Sequence, residues 1–137
     1  MDLLDKKIIE ILDNDAREPF LTIAKKTNSS ETTIRNRVKK LQKNGIIKKF
    51  GIIWADNAGV EAIIAINTLT NKKTNTISEE IKNSSPRIKQ VMEVSGGFDL
   101  VIILDALTIN ELNRTIEKIR SINGVKSTQT YMVLKRL

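Results

Sequence analysis

Ser30-Glu31-Thr32-Thr33-Ile34-Arg35-Asn36-Arg37-Val38-Lys39-Lys40-Leu41-Gln42-Lys43-Asn44-Gly45 is the stretch whose reading decides the fold. Ile34, Val38 and Leu41 recur at i, i+4 and i+7, which puts them on one face of an α-helix. Ser29 or Ser30 supplies the N-cap, and Gly45 suits the C′ position that closes the helix near Asn44. The opposite face presents Glu31, Thr32, Arg35, Asn36, Lys39 and Lys43. Upstream, Asn28-Ser29 makes a tight turn, because Asn tolerates a left-handed backbone. Before that turn a short helix begins near Thr22, with Ile23 and Ala24 inward. Leu4, Ile8, Ile11 and Leu12 share one face of a first helix, capped by Asp2 and ending near Asn14. Three helices with a tight turn between the last two form a helix-turn-helix pattern.

Charge follows the same geography. The chain has 137 residues, with 23 basic and 16 acidic side chains and a net charge of +7. Lys25, Lys26, Arg35, Arg37, Lys39, Lys40, Lys43, Lys48 and Lys49 crowd one segment whose only acid is Glu31. That segment carries the whole net charge, and the remainder is close to neutral. A basic recognition helix has the inventory for a major groove. Arg forks onto guanine, Asn onto adenine, and Thr meets a thymine methyl or a phosphate, while lysines neutralise phosphates and set position. The candidate DNA contacts are Ser30, Thr32, Thr33, Arg35, Asn36, Arg37, Lys39, Lys40 and Lys43. Arg37, at the flank of the apolar stripe, either supports the turn or reaches the DNA backbone. The competing reading is a solvated basic face on an ordinary three-helix domain. RNA is disfavoured, because no aromatic platform accompanies the cations.

Composition narrows the remaining choices. Cysteine and histidine are both absent, which removes disulfides, thiolate chemistry, the commonest metal ligand and the commonest acid/base at neutral pH. No catalytic pair stands out, so an enzyme is not expected and no metal site is assigned. No apolar run is long enough to span a membrane and no signal-peptide pattern is present, so a cytoplasmic protein is expected. The abundance of Ile, Lys and Asn points to an AT-rich genome, archaeal among the candidates.

The carboxy-terminal part reads as strand 61–69, helix 76–84 stopped by Pro86, strand 91–95, a Gly96-Gly97 hairpin turn and strand 98–105. A helix follows, opened by a Thr108-x-x-Glu111 capping box with Ile109, Leu112, Ile116 and Ile119 inward, then a last strand over 125–135. The order βαββαβ is the ferredoxin-like split motif. Ala62-Ile63-Ile64-Ala65-Ile66 and Leu100-Val101-Ile102-Ile103-Leu104 are continuously apolar, which implies burial on both faces of the sheet. With helices on one face only, a second copy of the chain must cover the other. Two recognition helices related by a two-fold axis would then read a palindromic site. Between the units, 46–53 is expected to be a strand and 54–59 a linker, with Trp54 either pinning it at a dimer interface or serving as core or hinge.

The fold class is therefore α+β: a helix-turn-helix domain of winged type over 1–50, a strand and linker over 51–60, and a ferredoxin-like domain over 61–137. This combination resembles the Lrp/AsnC (feast/famine) transcription regulators over essentially the whole chain. Leu4-Asp5-Lys6-Lys7-Ile8-Ile9 is similar to the family's opening helix, and Ser30 to Leu41 followed by Gly45-Ile46-Ile47 to its recognition helix. Gly96-Gly97-Phe98-Asp99 resembles the G-x-x-D turn of its ligand-sensing module, and Gly124-Val125 through Thr128-x-Thr130 resembles that module's last strand. The resemblance implies homodimers that assemble into tetramers or octamers on double-stranded DNA, with no cofactor beyond a small amino-acid-like effector. It implies effector contacts at Gly96, Gly97, Phe98, Asp99, Thr128 and Thr130, with selectivity from Asn110, Asn113 or Arg114. Two departures stand out. Asn28-Ser29 replaces the family's usual Gly and apolar residue, and Leu100 follows Asp99 where an aromatic is frequent. Asp99 has a second reading, as a carboxylate that satisfies backbone donors at the turn. The alternative function is an architectural protein that compacts DNA with little sequence preference and no effector.

Overall fold

The computed structural model describes residues 1–53 and 58–137, which fall into two compact units meeting between Ile53 and Trp54. Trp54 and the linker positions Ala55, Asp56 and Asn57 lie outside the described residues.

In the first unit, α1 (Leu3–Asn14), α2 (Phe20–Lys26) and α3 (Glu31–Lys43) surround a small core of Ile8, Leu12, Ile23, Ala24, Ile34, Val38 and Leu41. Asp2 caps α1 in a full capping box: its carboxylate accepts the Asp5 N–H, and Asp5 accepts the Asp2 N–H in return. The second helix starts two residues before the expected Thr22. Pro19 stands at its N-cap, where the ring's fixed φ leads into a helix and no N–H is missed. Asn28 turns the chain with φ of 53°, and Ser30 caps α3 through the Thr33 N–H. Gly45 leaves α3 at φ 69°, as a C′ glycine should.

The strand expected over 46–53 does not form; that segment is irregular. Its apolar residues had suggested a strand, but a strand needs a ladder partner, and it has none among the described residues. Ile52 and Ile53 are 82% exposed as a result.

The second unit runs β1 (Val60–Thr68), α4 (Thr74–Ser84), β2 (Ile88–Glu93), β3 (Leu100–Ala106), α5 (Ile109–Arg120) and β4 (Val125–Met132). All pairings are antiparallel, in the order β2-β3-β1-β4. This is the βαββαβ arrangement that the sequence predicts. The register puts Ala62, Ile64 and Ile66 beside Leu104, Ile102 and Leu100, and these six are fully buried together with Ile77, Ile81, Leu112 and Ile119 of the helices. At Gly124 (φ 103°) a Cβ would stand 2.6 Å from Ile77 Cδ1, so both backbone and space require glycine there.

Three expectations are corrected here. Gly96-Gly97 is not a two-residue hairpin: β2 ends at Glu93 and β3 begins at Leu100, so a six-residue loop joins them, closed by Val94 N–H on the Asp99 carbonyl at 3.0 Å. Ile109 is 48% exposed rather than inward, because it is the first residue of α5 and the buried stripe is Leu112, Thr115, Ile116 and Ile119. The capping box is half formed: Thr108 accepts the Glu111 N–H, but Glu111 reaches the Leu107 N–H and Arg87 Nε instead of the Thr108 N–H.

The register puts Ile63, Ala65, Val101, Ile103, Met92 and Tyr131 on the other sheet face, where only Ala65 is buried and the rest keep some contact with solvent. Ile63 is 36% and Tyr131 49% exposed. A sheet apolar on both sides is thus packed on one.

Candidate nucleic-acid interface and effector loop

The recognition helix α3 sorts its candidate residues by what each already holds. Thr32, Arg35, Asn36, Lys39, Lys40 and Lys43 are exposed. Thr32, Asn36, Lys39 and Lys43 follow one another at i, i+4, i+7 and i+11, which is one stripe opposite the buried Ile34, Val38 and Leu41. Ser30 and Thr33 are committed to the cap, their hydroxyls 2.7 Å apart and the Thr33 N–H on Ser30 Oγ.

Arg37 faces away from that stripe. Its Nη1 donates to Asp2 and, at 3.2 Å, to Asp5 of α1. The Asp5 N–H and the Arg37 guanidinium hold the Asp2 carboxyl below its usual range, and the two carboxylates raise Arg37 in turn. The guanidinium therefore ties α3 to α1. Arg35, on the exposed side, pairs with Glu31 and lies over the Phe20 ring, 5.3 Å from its centroid. Sequence reasoning missed Phe20; its place at the start of α2, next to Pro19, became visible only once that helix was in position.

In the second unit, Gly96 (φ 148°) needs a glycine backbone, and nothing lies within 4 Å of where a Cβ would stand at Gly96 or Gly97. Asp99 Oδ2 accepts the Thr68 N–H at 2.8 Å and the Thr68 hydroxyl at 3.1 Å, and the Asp99 N–H donates to the Ile66 carbonyl. Asp99 thus does satisfy a backbone donor, which the sequence had left open beside an effector role. Thr68, the partner, was not foreseen, being 31 residues away.

Thr128 is opposite Ile66 on β4, on the far side of β1 from Leu100, the residue after Asp99. Thr128 Oγ1 accepts from Arg120 Nε at 3.1 Å, and Arg120 also pairs with Glu117. Thr130 Oγ1 is buried with no hydrogen-bond partner among the described residues. Asn110, Asn113 and Arg114 are exposed on α5.

No helix among the described residues is long and apolar enough to cross a membrane, and no cluster of carboxylates there could hold a metal ion.

Comparison with known proteins follows the same division. An AsnC-type helix-turn-helix domain matches residues 1–42, and an Lrp/AsnC ligand binding domain matches residues 61–137. The HTH-type transcriptional regulator LysM of Saccharolobus solfataricus is 38% identical, across 98% of this chain and 94% of its own length. The HTH-type transcriptional regulator FL11 of Pyrococcus horikoshii is 39% identical, across 98% of this chain and 90% of its own. Among solved structures, E. coli AsnC superposes with a TM-score of 0.69 at 26% identity, covering 99% of this chain and 93% of that one. A transcriptional regulator from Neisseria meningitidis, solved as a complex with L-Met, shares the fold with a TM-score of 0.75 at 20% identity, covering 100% and 92%.

Proposed function

The chain belongs to the Lrp/AsnC family of DNA-binding transcriptional regulators, and from that premise we propose that it reads a palindromic operator as a homodimer whose assembly answers to an amino-acid-like effector. The observation that carries this reading is the exposed stripe of Thr32, Asn36, Lys39 and Lys43 with Arg35 beside it, on a capped helix that buries its other face.

Thr32, Arg35 and Asn36 contact bases. Lys39, Lys40 and Lys43 contact phosphates. Ser30 and Thr33 serve the helix start, and Arg37 sets the helix against α1. The partly exposed apolar face of Ile63, Val101, Ile103, Met92 and Tyr131 supports a sheet-to-sheet dimer, because a second copy would remove it from water. Tetramers or octamers are assembled from such dimers, and the protein works in the cytoplasm on double-stranded DNA.

Effector binding is assigned to the loop of Gly96, Gly97, Phe98 and Asp99 together with Thr128 and Thr130. The open space at both glycines lets a carboxylate reach backbone N–H groups, and the unpaired Thr130 hydroxyl offers a further partner. The Neisseria relative solved with L-Met supports an amino acid as the ligand class.

Selection from a random duplex pool, followed by footprinting, tests the DNA reading. A short list of palindromes is expected, whereas uniform coverage would favour DNA compaction. Thermal-shift measurement with each of the common amino acids, followed by sizing with any hit, tests the effector. No shift with any of them would leave a regulator without an amino-acid sensor.

A further inference from the structure

Phe20 opens α2 immediately after Pro19, and its ring packs on the core of the first unit. The Ile23 N–H on the Pro19 carbonyl at 3.0 Å fixes that helix start, so the ring is a wall rather than a loose side chain. The Arg35 guanidinium of α3 lies over it, 5.3 Å from the centroid. Around α3, Arg35 stands between the exposed stripe of Thr32, Asn36, Lys39 and Lys43 and the buried stripe of Ile34, Val38 and Leu41. Half of its side chain stays open to solvent.

We infer that Phe20 is a positioning residue for base reading: it holds Arg35 in the conformer from which the guanidinium forks onto a guanine, and the stack persists in the operator complex. The inference rests on the reading above in which Arg35 contacts a base. An arginine side chain is rich in rotamers, and a bidentate fork accepts few of them. Affinity for the operator therefore scales with the fraction of molecules in which Arg35 is already correctly placed. Stacking takes the face of the guanidinium and leaves its in-plane N–H donors to hydrogen-bond. The ion pair with Glu31 spends one of those donors and is released as the fork forms, whereas the stack asks for no such release. Arbitrary sequence offers Arg35 only phosphates, which accept from many directions, so its placement matters little there. A wall beside the reading residue thus raises specific binding more than general binding.

Phe20→Leu tests this, because it keeps an apolar side chain on the core and removes the ring. The full-length protein, Phe20→Leu, Arg35→Ala and the double variant are titrated with two probes: a random-sequence duplex pool, and the best duplex the unaltered protein selects from it. Phe20→Leu is expected to weaken the selected duplex about three- to fivefold and the pool by less than about twofold, lowering the ratio. Phe20→Tyr, which keeps the ring face, should restore the ratio. In the Arg35→Ala background Phe20→Leu should leave the ratio unchanged. Equal weakening on both probes would make Phe20 a plain core residue and overturn the inference. So would a fall in the ratio that persists without Arg35, or a rise in the ratio, which would mean that the stack holds Arg35 off the base. A second measurement needs no substitution. Nuclear Overhauser effects between the Phe20 ring protons and the Arg35 Hδ protons should survive saturation with the selected duplex, and their loss there would overturn the inference. If Arg35→Ala weakens both probes alike, or if no duplex is selected over the pool, the base-reading premise fails first and the inference falls with it.

Discussion

Arg37 of the recognition helix donates to the carboxylate of Asp5 in the first helix, 3.2 Å away and 32 positions earlier in the chain. The same nitrogen reaches Asp2, whose other carboxylate oxygen caps the Asp5 N–H. The placement of α3 against α1 is thus tied to the capping box of α1. Arg37→Ala leaves the buried Asp5 without this partner, so the melting temperature should fall by several degrees. Affinity should fall with it on operator and random DNA alike, and Arg37→Lys should restore part of both. An unchanged melt with weakened DNA binding would put Arg37 on phosphates instead.

Acid should loosen both units, and the sign follows from the shifted carboxyls. The Asp5 N–H and Arg37 hold Asp2 below its ordinary range, and Arg87 does the same to Glu111, with help from the Leu107 N–H. A carboxyl whose folded value lies below its unfolded value favours the folded state once deprotonated. That contribution is complete above the ordinary carboxylate range and is lost as pH falls through the lowered folded values. Melting temperatures should therefore hold near neutrality and drop between about pH 5 and about pH 3. Asp2→Asn should blunt the drop in the first unit, and a profile that stays flat down to the acid limit would contradict the assignment.

What the sequence made legible is what neighbours along the chain decide. Caps at Asp2, Ser30 and Thr108, the left-handed Asn28, and the buried stripes at 34–38–41 and 112–116–119 all depend on residues within a turn or two. Less legible were the partners that only folding brings close: Asp2 and Asp5 for Arg37, Thr68 for Asp99, Phe20 for Arg35. The missing strand over 46–53 has the same cause. Apolar composition can propose a strand, but a ladder requires a neighbour, and that neighbour is a fact about tertiary structure.

The exposed stripe of α3 should separate base contacts from phosphate contacts. Arg35→Ala or Asn36→Ala should relax preference at one base pair, with a loss of roughly 1–3 kcal/mol there. Lys43→Ala should weaken every duplex about equally and lower the slope of log affinity against log salt by about one. Equal losses on all sequences from Arg35→Ala would show that Arg35 touches only the backbone.

Gly124 should not tolerate a side chain. A Cβ there would meet the fully buried Ile77 at 2.6 Å, and φ of 103° is strained for any L residue. Gly124→Ala should cost about 2–3 kcal/mol by overpacking and strain, read from denaturant melts. An added Ile77→Val should recover part of the loss by clearing the clashing methyl. If the pair shows no such coupling, the cost is backbone strain alone.

Asp99 fastens a loop, and substitution can divide that duty from the effector contact proposed for it. Its carboxylate fastens the β2–β3 loop to Thr68 of β1, through the N–H at 2.8 Å and the hydroxyl at 3.1 Å. Asp99→Ala leaves the Thr68 N–H without its acceptor and should cost roughly 1–3 kcal/mol. Thr68→Val removes only the hydroxyl bond and should cost about 1 kcal/mol. The two variants should differ in a second measurement, the thermal shift produced by whichever amino acid stabilises the unaltered protein. Thr68→Val keeps the carboxylate and should keep the shift. Asp99→Ala loses the group that would meet an ammonium and should lose it. A shift that survives in Asp99→Ala would make this carboxylate a fastener for the loop and move the effector's ammonium to another partner.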